Sequence, residues 1–229
     1  MRKHLKERFL RIPTVTYPNP DYAQEDILSE ISLKIGSLFL VMPYDTKYWK
    51  LEKGIKDFFE GKYTVHMAKD DLRDILGCIC EKITEADFGI VVLAGLKYRK
   101  DKKNRVRMNI PFEYGMFKIL DKPVMLVCED KLNMDINEEF SDIRNESYGE
   151  KFTVGRQITQ IEKRIGQIFS KFIPELARKS AEKTLDEIVK KHPSFPHAKT
   201  GDFMRHCKTQ YEIQIRNDFK DKIRTKKER

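Results

Sequence analysis

The chain has 229 residues, of which 40% are hydrophobic and 35% are charged, and its formal net charge is +9. This composition gives no signal of global disorder and predicts a folded protein with a highly charged surface. No apolar run approaches the roughly 20 residues that a membrane span needs, and the basic N-terminus lacks the apolar segment of a signal peptide. We therefore expect a cytoplasmic protein with no membrane partner.

The four cysteines indicate neither a disulfide framework nor a metal site. Cys78 and Cys80 lie two residues apart on a predicted helix, so their side chains point in different directions. Cys128 falls in an apolar strand, and the three histidines nearest to Cys207 match no standard zinc spacing. We expect reduced thiols, no metal and no cofactor.

From residue 36 onward, short apolar runs alternate with helical patterns. The predicted strands are 37–43, 63–68, 87–95, 123–130 and 150–154. The predicted helices between them are 47–61, 71–86 and 110–121, and the basic stretch 96–108 is predicted to be a loop. This alternation is typical of βαβ units with a parallel sheet. The expected fold is α/β and flavodoxin-like, a doubly wound parallel sheet with strand order 2-1-3-4-5 and a C-terminal helical extension.

The end of the chain is helical by period and strongly basic. Pro174 is predicted to break the first of these helices, and residues 151–229 hold 20 basic against 10 acidic side chains. Three parts are expected, which are an N-terminal preface 1–35, an α/β domain 36–170 and a basic helical extension 171–229. We expect deletion of 202–229 to leave the α/β domain folded.

Two features of the predicted helices bear on packing. Trp49, Phe58 and Phe59 recur at helical spacing and are predicted to be core residues rather than a platform for stacking bases. Gly115 lies inside the predicted helix 110–121, where glycine costs roughly 1 kcal/mol relative to alanine. We therefore expect Gly115 to pack closely against a neighbouring strand or a ligand.

Ligands of open parallel sheets bind outside the carboxyl ends of the strands. That rule selects the segments MPYDTKYW, AGLKYRKDKKNRVRMN and CEDKLN, and it brings Asp45, Asn109 and Glu113 to one edge. The N-terminus of the helix 110–121 suits a phosphate, and the basic loop with Arg107 adds positive charge. A phosphorylated, nucleotide-sized ligand is expected, although neither a Walker A run nor G-x-G-x-x-G occurs.

Three stretches, LFLVMPYDTKY, ADFGIVVLAG and RMNIPFEYGMFKILDKPVMLV, resemble the TIR-like and nucleoside 2-deoxyribosyltransferase-like group of nucleotide-binding domains. In that group the first strand ends in an MPF/Y-D turn, and an AD pair precedes the third strand. The next helix opens with N-[VI]-x-[FY]-E-[LY]-G, and KP precedes the following strand. The resemblance covers about residues 36–170. The chain departs from the pattern after the third strand, where LAGLKY replaces an expected acid and the loop is longer and more basic.

The resemblance implies cleavage of an N-glycosidic bond in NAD or in a nucleoside or nucleotide, with a role in defence or signalling. Glu113 is the matching catalytic carboxylate, which would stabilise or attack a sugar with oxocarbenium character. Asn109 would hold sugar or phosphate oxygens, and Asp45 would bind ribose hydroxyls or help to position the carboxylate. The implied substrate-binding residues are Pro43, Tyr44, Asp45, Arg107, Asn109 and Phe112.

Two other functions stay open. The chain is alternatively a non-catalytic module that senses a nucleotide or assembles with other copies through its C-terminal helices, with Glu113 only capping or pairing locally. The third function is binding of nucleic acid through the basic C-terminal third, although a basic helical face is often simply solvated. Such binding would fall steeply with salt, and the sequence supplies no base-reading motif.

Overall fold

The fold is given by a computed structural model that describes most of the chain after the preface. The described residues are 36–68, 75–97, 104–106, 109–129, 151–152, 156–191, 193 and 200–223. Within them, the side chains of 75–78, 95–97, 104–106, 109, 151–152 and 200 are outside the description. The predicted preface 1–35 lies outside the described residues altogether.

A parallel sheet forms the centre of the protein. The described strands are β1 (Ser37–Val41), β2 (Thr64–His66), β3 (Phe88–Leu93), β4 (Gly95–Lys97), β5 (Asn104–Val106), β6 (Val124–Glu129) and β7 (Lys151–Phe152). Five of them pair in the order β2-β1-β3-β6-β7, and all of these pairs are parallel. Numbered within the sheet, this order is 2-1-3-4-5, so the predicted doubly wound α/β fold is confirmed.

Helices connect the strands and extend the C-terminal part. The described helices are α1 (Trp49–Phe59), α2 (Ile75–Glu85), α3 (Asn109–Ile119), α4 (Ile158–Lys191), α5 (Thr200–Asp218) and α6 (Lys220–Ile223). A 3-10 turn at Thr46–Tyr48 precedes α1. None of the described helices combines the length and apolar character needed to cross a membrane.

One face of the sheet packs against α2 and α3. Side chains alternate between the two faces of a strand, and Phe39 and Val41 of β1 share this face with Val91 and Leu93 of β3. They pack with Phe117 of α3 in one buried cluster. This layer places the beginning of α3 at the carboxyl ends of β1 and β3.

The opposite face is covered by α1 and α4, and its centre is aromatic. Phe59 of α1 makes edge-to-face contacts with Phe88 of β3 and with Phe169 of α4. Phe58 and Phe59 are both fully buried, so their predicted place in the core is confirmed. Phe219, which lies between α5 and α6, packs into the same cluster.

The basic stretch predicted to be a loop contains a short hairpin. Gly95 of β4 lies opposite Val106 of β5 in an antiparallel pair. The loop prediction for 96–108 is therefore wrong over these residues. The stretch alternates apolar and polar residues only in the short runs LKYR and RVRM at its ends, and the charged residues between them favour the loop prediction. The pairing of β4 with β5 satisfies backbone hydrogen bonds directly after β3.

The helix α4 runs without interruption through Pro174, so the predicted break is wrong. An interior proline costs about 3 kcal/mol because it lacks the N–H donor and its ring crowds the preceding turn. Phe172, Ile173 and Leu176 are buried on either side of it, and their packing offsets this cost. The boundary expected between residues 170 and 171 falls inside this helix.

The C-terminal helices contribute to the hydrophobic core. Cys207, Tyr211, Ile215 and Phe219 are all buried. These buried side chains lie within 202–229, and whether deletion of this segment leaves the α/β domain folded stays a prediction. The basic side chains occupy the outer faces of helices whose inner faces are apolar.

Gly115 does not pack closely against a neighbouring strand, so that part of its prediction is wrong, and a close approach to a ligand stays a prediction. A Cβ atom at residue 115 would meet no atom outside its own helix within 4 Å. At Gly89 of β3, by contrast, a Cβ would lie 2.6 Å from the Cζ atom of Phe117. The glycine that allows α3 to approach the sheet is therefore on the strand.

Candidate functional site

The segment between β1 and α1 forms a hydrogen-bonded turn at the carboxyl edge of the sheet. The Oδ1 atom of Asp45 accepts a hydrogen bond from the N–H of Lys47 at 3.0 Å. The carbonyl of Asp45 accepts one from the N–H of Tyr48 at 2.9 Å. Aspartate suits the start of a helical turn because its side chain accepts from the free N–H groups there. Pro43 before this turn is buried, and Tyr44 is exposed.

The ring of Tyr48 turns inward from this segment and is fully buried. Its hydroxyl donates a hydrogen bond to the Oε2 atom of Glu129 at 2.8 Å. The Nζ atom of Lys47 lies 4.5 Å from the centroid of the Tyr48 ring, which is cation–π distance. The segment after β1 is thereby attached to the end of β6.

The beginning of α3 brings an acid to the same edge. Asn109 begins the helix, and Pro111 occupies its first turn, where a missing N–H costs nothing. Glu113 follows with only 2% of its surface exposed. Among the described residues, Glu113 and Glu129 are the charged side chains that are buried.

Exposed aromatic rings also occur at this edge. Tyr44, Trp49 and Phe112 are 43%, 54% and 53% exposed and are the large aromatic side chains exposed in the described part of the chain. Trp49 is therefore not a core residue, and that prediction is wrong. Aromatic surface that remains in water favours contact with a flat apolar group such as a base.

The structure describes some of the predicted site residues and not others. Pro43, Tyr44 and Asp45 follow β1, while Phe112 and Glu113 lie in the first two turns of α3, and topology brings both segments to one edge. Arg107 lies outside the described residues, as does the side chain of residue 109. The role of each residue in a site stays a prediction.

Sequence reasoning missed the pair formed by Tyr48 and Glu129. The segment CEDKLN is predicted to lie at the ligand edge, but the sequence pattern assigns no role to any residue in it. A signal was present, because Glu129 is an acid that ends the apolar run VMLVCE. A charged side chain in a buried strand requires a polar partner, and Tyr48 supplies one.

Other residues of the resemblance have structural contacts at the opposite edge of the sheet. The Oδ2 atom of Asp87 accepts hydrogen bonds from the N–H groups of Gly36 at 2.8 Å and Ser37 at 3.2 Å. The Nζ atom of Lys122 donates to the carbonyls of Thr84 and Ala86 at the end of α2. The AD and KP parts of the pattern thus hold strand and helix ends in place.

A cavity of about 620 Å³ lies beside these structural contacts, at the amino ends of the strands. Its lining includes Asp121 and Lys179, which form an ion pair, and Lys122. The hydrogen bond from Lys179 holds the pKa of Asp121 below its usual value. Burial lowers the pKa of Lys122. The paired charges are typical of a junction between α4 and the sheet, far from the carboxyl edge.

The fold and this edge define an open, doubly wound α/β protein with buried acids and exposed aromatic rings near the carboxyl ends of its strands. Within the described ranges, no three His, Cys, Asp or Glu side chains group as ligands for a metal ion. No protein-family model matches the chain, and no curated protein matches it significantly.

Proposed function

We propose that this protein binds a nucleotide-type molecule and cleaves an N-glycosidic bond, with NAD or a nucleoside or nucleotide as substrate. The observation that carries the proposal is the burial of the Glu113 carboxylate in the second turn of α3. This turn lies at the edge where open parallel sheets bind their ligands.

The surroundings of Glu113 suit the chemistry of such a bond. Cleavage develops positive charge on the sugar, and a nearby carboxylate stabilises that charge or attacks the anomeric carbon. Removal of water strengthens the interaction between the carboxylate and the developing charge. A nucleophile or charge stabiliser acts in its ionised form, and the proposal requires that form of Glu113.

The exposed rings support the choice of a substrate that contains a base. Tyr44 follows β1 and Phe112 immediately precedes Glu113, so both lie at the edge that holds the acid. Stacking on an aromatic ring stabilises a base by about 1–3 kcal/mol. The resemblance to TIR-like domains extends the proposal to an NAD glycohydrolase that acts in defence or signalling.

Release of free base tests the proposal. Purified protein is incubated with NAD and, separately, with nucleosides, and the products are separated by chromatography. We expect the wild type to release base and Glu113→Gln to do so at least about 100-fold more slowly. Glu81→Gln, which changes an exposed acid on α2, serves as the matched control and retains the wild-type rate. Full activity of Glu113→Gln would remove Glu113 from the mechanism.

The burial of Glu113 also favours a second candidate function. A carboxylate that is 2% exposed contributes to the packing of α3 whether or not it reacts. The protein would then be a non-catalytic module that senses a nucleotide or assembles with other copies. Calorimetric binding of NAD without release of base, in wild type and Glu113→Gln alike, would favour this candidate.

A further inference from the structure

The hydrogen bond between Tyr48 and Glu129 joins two segments at the carboxyl edge of the sheet. Tyr48 comes shortly after β1, and Glu129 ends β6. In the sheet β3 lies between these two strands. Cys128 pairs in register with Leu93, so Glu129 is level with Ala94, the first residue after β3. The bond therefore spans the carboxyl end of β3.

The two partners are held on one face of the sheet. Cys128 belongs to the layer beneath α2 and α3, and the next side chain along a strand points to the opposite face. Glu129 therefore lies on the face covered by α1, where Tyr48 enters from the turn before that helix. A buried carboxylate is stable only with donors around it, which gives the Tyr48 hydroxyl a fixed position.

The same turn carries residues that are predicted to bind the substrate. Its two hydrogen bonds join Asp45 to Lys47 and to Tyr48. A short, hydrogen-bonded path thus leads from Glu129 through the Tyr48 ring to Asp45 and the neighbouring Tyr44. Displacement of Tyr48 would move this whole turn relative to the beginning of α3.

We propose that Tyr48 and Glu129 are positioning residues that hold the turn at 44–48 over the end of β3 in the geometry that binds a nucleotide. This inference rests on the proposed function, because the ligand is the one proposed there. It adds a second buried acid, Glu129, whose role is to orient the turn through Tyr48 rather than to react.

Two kinds of measurement test the inference. Dissociation constants for NAD and for 2′-deoxyadenosine are measured by calorimetry in Tyr48→Phe, in Glu129→Gln and in the wild type. Independently of any ligand, acrylamide quenching of Trp49 reports on the turn, because Trp49 is the one tryptophan of the chain and directly follows Tyr48. Thermal melts confirm that each variant is folded.

Tyr211→Phe is the matched control. Tyr211 is buried like Tyr48, and its hydroxyl lies 2.6 Å from the Oγ1 atom of Thr184. Thr184 follows Lys183, which pairs with Asp87 before β3, so this bond lies toward the amino ends of the strands. Tyr211→Phe removes the part-buried hydrogen bond of another buried tyrosine, away from the candidate site.

We expect Tyr48→Phe to weaken binding of whichever probe the wild type binds by about tenfold and to increase the quenching of Trp49. Tyr211→Phe is expected to change neither quantity. Glu129→Gln retains an oxygen that accepts from the Tyr48 hydroxyl, so its affinity is expected to stay within about threefold of wild type.

The outcomes separate this inference from the proposed function. Unchanged affinity and unchanged Trp49 quenching in Tyr48→Phe would overturn the positioning role while leaving nucleotide binding in place. Loss of affinity in Glu129→Gln as large as in Tyr48→Phe would also overturn it, in favour of a direct contact between the Glu129 charge and the ligand. A wild type that binds neither probe would overturn the proposed function. Increased Trp49 quenching in Tyr48→Phe would then support only the conclusion that Tyr48 holds the turn in place.

Discussion

The ring of Phe219 stacks on the ring of Phe58, with centroids 5.3 Å apart and planes 21° apart. Phe219 separates α5 from α6, whereas Phe58 belongs to α1 beside the sheet. Phe219 also contacts Phe169 of α4 with a centroid distance of 4.9 Å. The basic C-terminal helices are thus attached to the α/β core through an aromatic cluster.

Phe219→Ala should lower the free energy of unfolding by about 3–5 kcal/mol, because it leaves a cavity among several buried rings. Ile213→Ala is the control, since Ile213 lies on α5 but is 48% exposed. We expect the control to change stability by no more than about 0.5 kcal/mol. Urea denaturation measures both values. Equal midpoints for Phe219→Ala and wild type would show that the C-terminal helices are dispensable for stability.

A pair of glycine substitutions tests how α3 approaches the sheet. Gly89→Ala should destabilise the protein by about 1–3 kcal/mol, because the new methyl group would overlap the ring of Phe117. Gly115→Ala should be neutral or stabilising by up to about 1 kcal/mol, because the site is open and alanine favours a helix. Thermal and urea denaturation compare the two variants.

The double variant Gly89→Ala with Phe117→Leu supplies the control for this overlap. A smaller, flexible side chain at 117 leaves room for the methyl group. The loss of unfolding free energy in the double variant should therefore be smaller than the sum of the losses in the two single variants. Strict additivity would indicate that the cost of Gly89→Ala comes from the strand backbone instead.

Lys122→Met should destabilise the protein by about 1–3 kcal/mol. It removes the ammonium group that donates to the carbonyls of Thr84 and Ala86, which are then left without this donor. Lys190→Met changes an exposed lysine that lines the same cavity and should have little effect. The midpoints of urea denaturation compare the two variants with wild type. Identical midpoints for Lys122→Met and Lys190→Met would exclude a capping role for Lys122.

The buried thiol of Cys207 should be chemically inert in the native protein. Burial raises the pKa of Cys207 to about 12, whereas Cys80 is exposed. Because the thiolate is the reactive species, iodoacetamide at pH 8.5 should label Cys80 and spare Cys207 until denaturant is added. Mass spectrometry of the peptides measures the labelling. Similar labelling of both cysteines under native conditions would contradict the burial of Cys207.

The same thiol should make the protein less stable in alkali. The folded pKa of Cys207 is raised above the unfolded value of 9.0, so the unfolded chain loses this proton first as the pH rises. The stability contribution is present below pH 9.0 and is lost between that value and about 12. Urea midpoints measured from pH 8 to 10.5 should fall less steeply in Cys207→Ala than in wild type. Parallel pH profiles would show that other groups cause the alkaline loss.

Patterns within the sequence were sufficient to predict the strands of the parallel sheet. Apolar runs such as SLFLV and VMLVCE are each recognisable from neighbouring residues, and the helices between them require parallel crossovers of one hand. These local facts restrict the strand order to a few doubly wound arrangements, of which 2-1-3-4-5 is one. The carboxyl edge, with Asp45 and Glu113, follows from the order because all parallel strands end on the same side.

Tertiary packing decided the features that local patterns could not separate. Trp49 and Phe58 are nine residues apart and lie on opposite sides of α1. The position of α4 decides that the side with Phe58 is buried and the side with Trp49 is exposed. Pro174 carries a local signal to end a helix, but the buried side chains on both sides of it outweigh that signal. Tyr48 and Glu129 are separated by 81 positions in sequence. No local pattern couples them, and they meet only because the sheet places the ends of β1 and β6 on either side of β3.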